Sequence, residues 1–531
     1  MNALTHPLAL PRVRVRPWLW NAATVVLLLS MFGLLSCVKR IPRDYPRTAS
    51  HGFEPSPDSQ LAQIARDITD KFGPGKSGFL ALDRNDEALN WRLALVDHAQ
   101  HSVDLQYFIW HKDESGILLM LRLLDAADRG VRVRLLVDDL LLLGREKGVA
   151  ALAQYPNFEL RVFNPWKGRG TSVGKGVEFL GSMKRLNHRM HNKLFVADNR
   201  FAIVGGRNIG NEYFGLSKKY NFSDLDVLGA GPVARELSKS FDIYWNSEWA
   251  YPGEGFAFGK SMEGNAEEQL KKVRKRLEKR KKMLSQFPLK HHDWSERLNS
   301  LADIMSGGTA KVLYDEPLVG ADMPPVQMFE GLRGLTKVAR EEVFIITPYF
   351  IPHGDVLDVL REAIKRGVRV KVLTNSLAST DSQIAHSGYQ RYRRPFLERG
   401  GELYELRHDA EVQVLYDTPP VRAKFLGLHT KAIVVDRSLL YIGSSNLDPR
   451  SVYLNTEIGL LIDDPVLADE VARLFDRDLT PENTWRVRVN EKGELIWESS
   501  EGAVGAPQPA RTLWQRIQVF FFSLMPVEDQ L

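Results

Sequence analysis

The sequence predicts an α/β fold of two similar lobes related by a pseudo-two-fold axis, preceded by a segment that anchors the chain to a membrane. Three observations carry this. The stretch His191-Asn192-Lys193-Leu194-Phe195-Val196-Ala197-Asp198 returns 238 positions later (429 − 191) as His429-Thr430-Lys431-Ala432-Ile433-Val434-Val435-Asp436. Each copy is followed by Gly-x-x-Asn, as Gly205-Gly206-Arg207-Asn208 and Gly443-Ser444-Ser445-Asn446. Strand and helix patterns also alternate in the same order in both halves, the signature of βαβ units with a parallel sheet.

Taken in order, residues 1–50 read as a targeting or anchor segment. Arg12, Arg14 and Arg16 precede a mainly apolar run from Ala22 to Leu35, with Trp18 and Trp20 at its edge. That run lies between a signal-peptide core and a spanning helix in length. It ends Leu34-Leu35-Ser36-Cys37, which resembles a bacterial lipoprotein cleavage site with Cys37 as the lipid-bearing residue; an uncleaved helical anchor is the alternative. Pro46 to about Gly75 has turn formers around a short helical pattern and reads as a linker.

The first lobe, 51–250, then shows a strand at Gly78–Leu82, a helix around Glu87–Gln100, a strand at Val103–Trp110 and a helix at Gly116–Ala127. The run Val131–Val137 is almost continuously apolar, as a buried parallel strand requires. Asp138-Asp139 stand at its carboxyl end, where α/β sheets place functional groups; a turn cap and a substrate contact are equally open.

The second lobe, 309–485, repeats the order. Its strands are Ala310–Tyr314, Val343–Thr347 and Val368–Thr374, and its helices Val326–Val338 and Val356–Lys365. Arg366-Gly367 matches Arg129-Gly130 at an offset of 237 (366 − 129), and Tyr349-Phe350-Ile351 matches Tyr107-Phe108-Ile109 in type. Between the lobes, residues 251–308 form a basic helical insert with Lys271-Lys272-Val273-Arg274-Lys275-Arg276 and Lys279-Arg280-Lys281-Lys282. Such a helix suits an anionic lipid surface, at roughly 1 kcal/mol per cation, or a solvated connector. The tail, 486–531, places Leu513, Trp514, Ile517, Phe520, Phe521 and Leu524 on one helical face. That face fits the interfacial zone of a bilayer or packs on the chain's own core.

Composition bounds the chemistry. The 531 residues can hold two to three domains, and a net charge of +5 does not by itself call for nucleic acid. Cys37 is the only cysteine, which excludes an internal disulfide and a cysteine metal cluster. In an extended segment the His and Lys of His-x-Lys share a face. An imidazole can attack as a base or donate a proton, a lysine supplies charge for an anionic oxygen, and an Asn amide adds a donor. Two half-sites face to face supply a nucleophile and an acid, which is what double displacement at a phosphodiester needs. No metal or other cofactor is called for.

The duplicated His-x-Lys-x(4)-Asp with its Gly-x-x-Asn resembles the phospholipase D superfamily over roughly residues 75–485, so the lobes are expected to be phospholipase D-like. Within it, Arg189-Met190-His191-Asn192-Lys193, Ser223-Asp224-Leu225-Asp226-Val227, Leu373-Thr374-Asn375-Ser376-Leu377-Ala378 and Asn446-Leu447-Asp448-Pro449-Arg450-Ser451 with Leu454-Asn455-Thr456-Glu457 resemble bacterial cardiolipin synthases of the C type. The resemblance implies a catalytic set of His191, Lys193 and Asp198 with His429, Lys431 and Asp436. In it His191 is the nucleophile and His429 the acid and base, and the two aspartates fix the motif rather than react. Asn208 and Asn446 would hold phosphate oxygens. Asp226 and Glu457, each among apolar residues, would orient the imidazoles through their second nitrogens. Arg207 is open between a phosphate contact and a surface ion pair. The activity implied is phosphatidyl transfer to the glycerol of phosphatidylglycerol, with phosphatidylethanolamine as donor. A hydrolase passing the same intermediate to water is the second reading and a nucleic-acid phosphodiesterase a distant third. Phospholipids and a membrane surface are the expected partners, nucleic acid is not, and a helper protein is left open. The expected location is the bacterial cell-envelope membrane, on its periplasmic face.

Overall fold

A computed structural model describes residues 39–42, 45–54, 56–142, 145–169, 182, 184–256, 266–317, 327–352 and 356–525. The apolar run Ala22–Leu35 and Cys37 lie outside the described residues. The chain divides into two units, Met1–Arg43 with Trp166–Met183, and Asp44–Pro165 with Lys184–Leu531. In the first, Lys39–Arg40 pairs antiparallel with Gly168–Arg169. The second holds both lobes.

The segment expected as a linker is part of the first lobe. Helix α1, Gln60–Phe72, buries Leu61, Ile64, Ala65 and Ile68, the i, i+3, i+4, i+7 stripe of a core-facing helix. Ser59 caps it, accepting from Ala62 N. Ahead of it, Gly52 N donates to Asp242.

The first lobe comprises strands β1 (Ser77–Leu82), β2 (Ser102–Tyr107), β3 (Arg132–Asp138), β4 (Phe158–Phe163), β5 (Lys193–Ala197), β6 (Phe201–Gly205) and β7 (Asp226–Ala230). Its main helices are α2 (Asn85–His98), α3 (Glu114–Asp128) and α4 (Pro232–Trp245). Helix α5, Ala266–Lys279, carries the basic insert. Strand β8, Ser306–Tyr314, opens the second lobe. There follow α6 (Gln327–Val338), β9 (Glu342–Ile346), α7 (Val356–Lys365), β10 (Arg369–Asn375), α8 (Gln383–Tyr389), β11 (Glu402–Leu406), β12 (Ala432–Val435), β13 (Leu439–Gly443), β14 (Ile458–Asp463), α9 (Pro465–Asp478), β15 (Thr484–Val489), β16 (Leu495–Ser499) and α10 (Leu513–Ser523).

Only part of each sheet is parallel: the parallel βαβ units expected are present, and further strands join them antiparallel. Strands β2, β3 and β4 run parallel, as do β9, β10 and β11. The motif strands β5 and β12 lie antiparallel to β2 and β9 and turn back at once into β6 and β13. The cause is a tight turn. Asp198 and Asn199, like Asp436 and Arg437, sit at positive φ of 48° to 52°, which is what a type I′ hairpin turn needs at both central residues.

The duplication extends to detail. Gly130 and Gly367 sit at φ of 91° and 90° just past helix ends. The preceding Arg129 and Arg366 each donate to carbonyls at the end of the neighbouring helix region, Val96 and Asp97 in one lobe and Thr336 in the other. The two sheets are continuous through β8. Its Ser306–Gly308 pair with β1 and its Thr309–Tyr314 with β14. One apolar core accordingly runs through both lobes, joining Phe79, Val204 and Val227 to Ile442, Ile458 and Leu460.

Each motif aspartate is placed at the turn, seven residues beyond its histidine, a span of roughly 20 Å in extended chain. Asp198 accepts from Gln100 N, His101 N and Ser102 N, and Asp436 from Arg340 N, Glu341 N and Glu342 N. They stand in the expected set as residues that fix the motif rather than react, and the geometry says how: each fastens the residues at the start of β2 or β9 to the motif hairpin. Asp198→Ala strips three amides of their acceptor and puts Ala at positive φ. It is expected to lower stability by about 2–4 kcal/mol, read as a fall in the chemical denaturation midpoint; an unchanged midpoint contradicts this role.

Candidate active site

The chain entering each motif strand is stitched to the opposite lobe. His191 N donates to Thr456 O at 2.9 Å, and Thr456 N donates to Arg189 O at 2.9 Å. His429 N and Thr430 N both donate to Ser223 O, at 2.8 and 3.2 Å. Just before His429, Leu426–Leu428 pairs in parallel with Asn221–Ser223. So each histidine is tied to the residue that precedes a carboxylate of the other lobe.

Those carboxylates take the rings. His191 Nδ1 hydrogen-bonds both oxygens of Glu457, at 3.0 and 2.9 Å. His429 Nδ1 hydrogen-bonds Asp224 Oδ2 at 2.7 Å. With Nδ1 committed, Nε2 is the nitrogen left for chemistry. The imidazoles retain 9% and 8% of their side-chain exposure, whereas Glu457 and Asp224 have none. The reactive rings thus keep a path to solvent and their orienting groups do not.

The orienting role expected of Asp226 is corrected. Asp226 points into a buried charge cluster, accepting from Arg92 Nη2 at 2.8 Å, with Arg207 Nη1 at 3.4 Å. Asp224 stands in its stead because the copies align there at an offset of 233 (457 − 224), not at the earlier 238. The readable signal was a hydroxyl residue before each carboxylate, Ser223-Asp224 and Thr456-Glu457. Gly206 makes room for Asp224, since a Cβ there would lie 2.1 Å from its Oδ1. In the second copy Ser444 occupies the matching position and donates to Glu457 Oε2 at 2.5 Å.

Arg207 is neither a surface residue nor a phosphate ligand. It is fully buried, donating to Leu82 O, Asp83 O, Tyr213 O and Asp224 O, and so braces the strand that carries Asp224. Asp138 resolves as both cap and anchor. It accepts from Leu140 N, and from Met190 N and Arg189 Nε in the segment leading into His191. Asp315, which the sequence reading passed over, fixes Glu457 from behind: Glu457 N donates to its Oδ2 at 3.0 Å and Asp315 N to Glu457 O at 3.1 Å.

Lys193 and Lys431 are buried beside the rings, and each spends one of its three N–H donors on the carbonyl of its own histidine. Asn208 has both ends of its amide engaged, accepting from Ile109 N and donating to Tyr213 Oη. Asn446 differs, its Oδ1 being buried without a hydrogen-bond partner. Aromatic rings wall the site: Phe108 meets His191 edge-on at 4.9 Å, while Tyr213 and Phe222 lie 5.1 and 5.0 Å from the His429 ring.

Burial sets the protonation states. It drives His191 well below 6.5, with the charges of Lys193 and Lys431 adding to the fall. It takes His429 down to about 4, with Lys431 pushing the same way and Asp224 opposing. That lysines from both lobes act on each ring places the two half-sites within one electrostatic field. Burial lowers Lys431 to about 8 and raises Glu457 to about 7. Asp224 goes the other way, to about 2, because His429 and Lys431 outweigh its burial. The arrangement can present a neutral imidazole, a second imidazole backed by a firm carboxylate, and two cations, which suits covalent transfer at an anionic phosphorus centre.

The comparisons agree with this chemistry. A family model described as cardiolipin synthase, PLD-like domain, matches residues 93–245 and 332–479. The chain is 32% identical over 468 residues to cardiolipin synthase C of Escherichia coli (strain K12), covering 86% of this chain and 96% of that protein. It is 34% identical over 440 residues to an uncharacterized protein of Helicobacter pylori (strain ATCC 700392 / 26695), covering 82% and 85%. Among solved structures, the phosphatidylserine synthase of Haemophilus influenzae Rd KW20 shares the fold with a TM-score of 0.53 at 15% identity, over 80% of this chain and 91% of that one.

Two measurements check the site. Asp224→Asn leaves His429 without an anionic partner and is expected to lower turnover by about 10³–10⁴. Asp226→Asn is expected to act chiefly on stability; if the two variants lose turnover equally, the assignment fails. Asp315 supplies a pH test. Burial raises it from 3.8 to about 8, so the folded chain holds the proton more tightly than the unfolded one. The stability this confers is complete below about pH 4 and is lost as pH rises through 8. Asp315→Asn is expected to flatten the decline in melting temperature between pH 5 and 9; an equally steep decline contradicts it.

Proposed function

The chain belongs to the family of cardiolipin synthase, PLD-like domains, and from that premise we propose that it is a phosphatidyltransferase that makes cardiolipin from phosphatidylglycerol and a second phospholipid, phosphatidylethanolamine. The observation that carries the reading is the crossed pairing of His191 with Glu457 and of His429 with Asp224.

Nε2 of His191 attacks the donor phosphorus. A P–N bond forms as the P–O bond to the headgroup breaks, and the departing oxygen takes a proton from Nε2 of His429. A glycerol hydroxyl of phosphatidylglycerol then gives its proton to His429 while its oxygen attacks phosphorus and the P–N bond breaks. One phosphodiester is exchanged for another of similar energy, so the transfer needs no external energy source. Lys193, Lys431 and Asn446 supply charge and hydrogen bonds to the non-bridging oxygens. The asymmetry of the carboxylates supports the division of labour. Burial takes His429 down to about 4 and Asp224, anionic down to about 2, opposes that fall, so His429 has the firmer anion behind the proton it exchanges; Glu457, behind His191, is raised to about 7.

The lipid substrates belong in a membrane. Among the described residues no helix is long and apolar enough to cross one. The arginines, apolar run and Leu34-Leu35-Ser36-Cys37 in the sequence of segment 1–50 support attachment there, with the site of action on the periplasmic face of the cell envelope. The test incubates the purified chain with phosphatidylglycerol and phosphatidylethanolamine carrying a labelled ethanolamine. Cardiolipin and free ethanolamine in equal amounts are expected. Either His191→Ala or His429→Ala should lower both by at least about 10³. Phosphatidic acid without cardiolipin would make the enzyme a hydrolase and overturn the reading.

A further inference from the structure

The carboxyl-terminal helix α10 carries the most concentrated exposed apolar surface among the described residues. Of fifteen exposed large hydrophobic residues, six fall here: Leu513, Trp514, Phe520, Phe521, Leu524 and Met525. Five of them, Leu513, Trp514, Phe520, Phe521 and Leu524, are 60% to 70% exposed. At 100° per residue they share an arc with Ile517, and the buried Gln515 and Val519 lie opposite. The helix is held by its other face. Gln515 Nε2 donates to Leu377 O at 2.9 Å, Arg391 Nη2 donates to Ser523 O at 2.7 Å, and Thr512 caps the start. The aromatic face is therefore presented outward by a helix whose docking to the protein is already satisfied.

A run of ring contacts joins this helix to the catalytic imidazole. The Arg511 guanidinium lies 3.4 Å from the centre of the Phe425 ring. Phe425 stacks on Tyr220 at 5.2 Å, Tyr220 meets Phe222 at 5.2 Å, and Phe222 lies 5.0 Å from His429. The residue two places before the helix is thus linked to His429 through three aromatic rings.

We propose that α10 is the element that seats the active-site rim on an anionic phospholipid bilayer, with Trp514, Phe520, Phe521 and Leu524 entering the headgroup boundary. Trp and Phe on one face suit that zone, where an apolar ring can bury its body and a Trp N–H stays hydrated. Charge complementarity favours lipid: residues 511–525 contain Arg511 and Arg516 and no acidic side chain. The inference rests on the lipid-substrate reading above, and it adds how a lipid would reach His429 without crossing water.

The test uses the full chain in two arms. In the first, vesicles of brominated phosphatidylglycerol quench tryptophan fluorescence, and Trp514→Phe is expected to remove part of that quenching. Equal quenching in both proteins overturns the proposal. In the second, Phe520→Ser/Phe521→Ser/Leu524→Ser is compared with wild type on vesicle-embedded lipid and on short-chain, water-soluble analogues. A loss of roughly tenfold or more on vesicles alone is expected from the apolar area removed. An equal loss on both substrates means a structural role and overturns docking. So does a shift from dimer to monomer in sedimentation with quenching unchanged, which would make the face a contact between copies. Product formed on neither substrate by wild type, with Trp514 still quenched, would sink the transferase reading and leave the docking supported.

Discussion

His191 and His429 each take the carboxylate that orients the ring from the opposite lobe. His191 depends on Glu457 and His429 on Asp224, and the backbone amides of both histidines close on carbonyls of the opposite lobe. Each histidine–carboxylate pair takes one member from each lobe, and the rest of the architecture keeps the lobes in register. Strand β8 bonds to both sheets, a single core passes through them, and the Ser223 and Thr456 crossings fix each carboxylate one residue from a histidine amide. A slip of one residue in either crossing would turn the carboxylate to the other face of its strand and release a ring.

The crossing also accounts for the placement of charge. Two lysines and two carboxylates without water around them are costly unless each finds a partner. Here each lysine feels the charge of both carboxylates, and the balance is uneven. Asp224 keeps its charge and Glu457 shares a proton near neutrality. A symmetric fold therefore gives its two imidazoles unlike carboxylate partners.

Much of this was legible in the sequence because duplication is a pattern at fixed spacing. The motif strands, the Arg-Gly pairs and helix Val356–Lys365 stand where they were expected. What was missed has specific causes. Asp224 and Asp226 are two residues apart in one extended segment and share a face, so alternation could not choose between them; the cross-lobe register chose. The antiparallel direction of the further strands was not read because alternating strands and helices do not reveal a hairpin, although Asp198-Asn199 at the strand end is a turn signal. Pro46–Gly75 looked like a linker because turn formers surround its short helical pattern, and that the Leu61, Ile64, Ala65, Ile68 stripe packs on the lobe is a tertiary fact. Arg207 and Asp315 were unreadable, since their importance lies in buried partners distant along the chain. The tail was half legible: its apolar face could be seen in the spacing, but which side faced out could not.

The central claim is that imidazoles from separate lobes meet at one phosphorus. A crystal structure of the chain with orthovanadate tests it most directly. The account predicts a single vanadium centre bonded to Nε2 of His191, with Nε2 of His429 within hydrogen-bond reach of one of its oxygens and Lys193 and Lys431 on the others. Vanadate held by one histidine alone, with the other ring turned elsewhere, would contradict it.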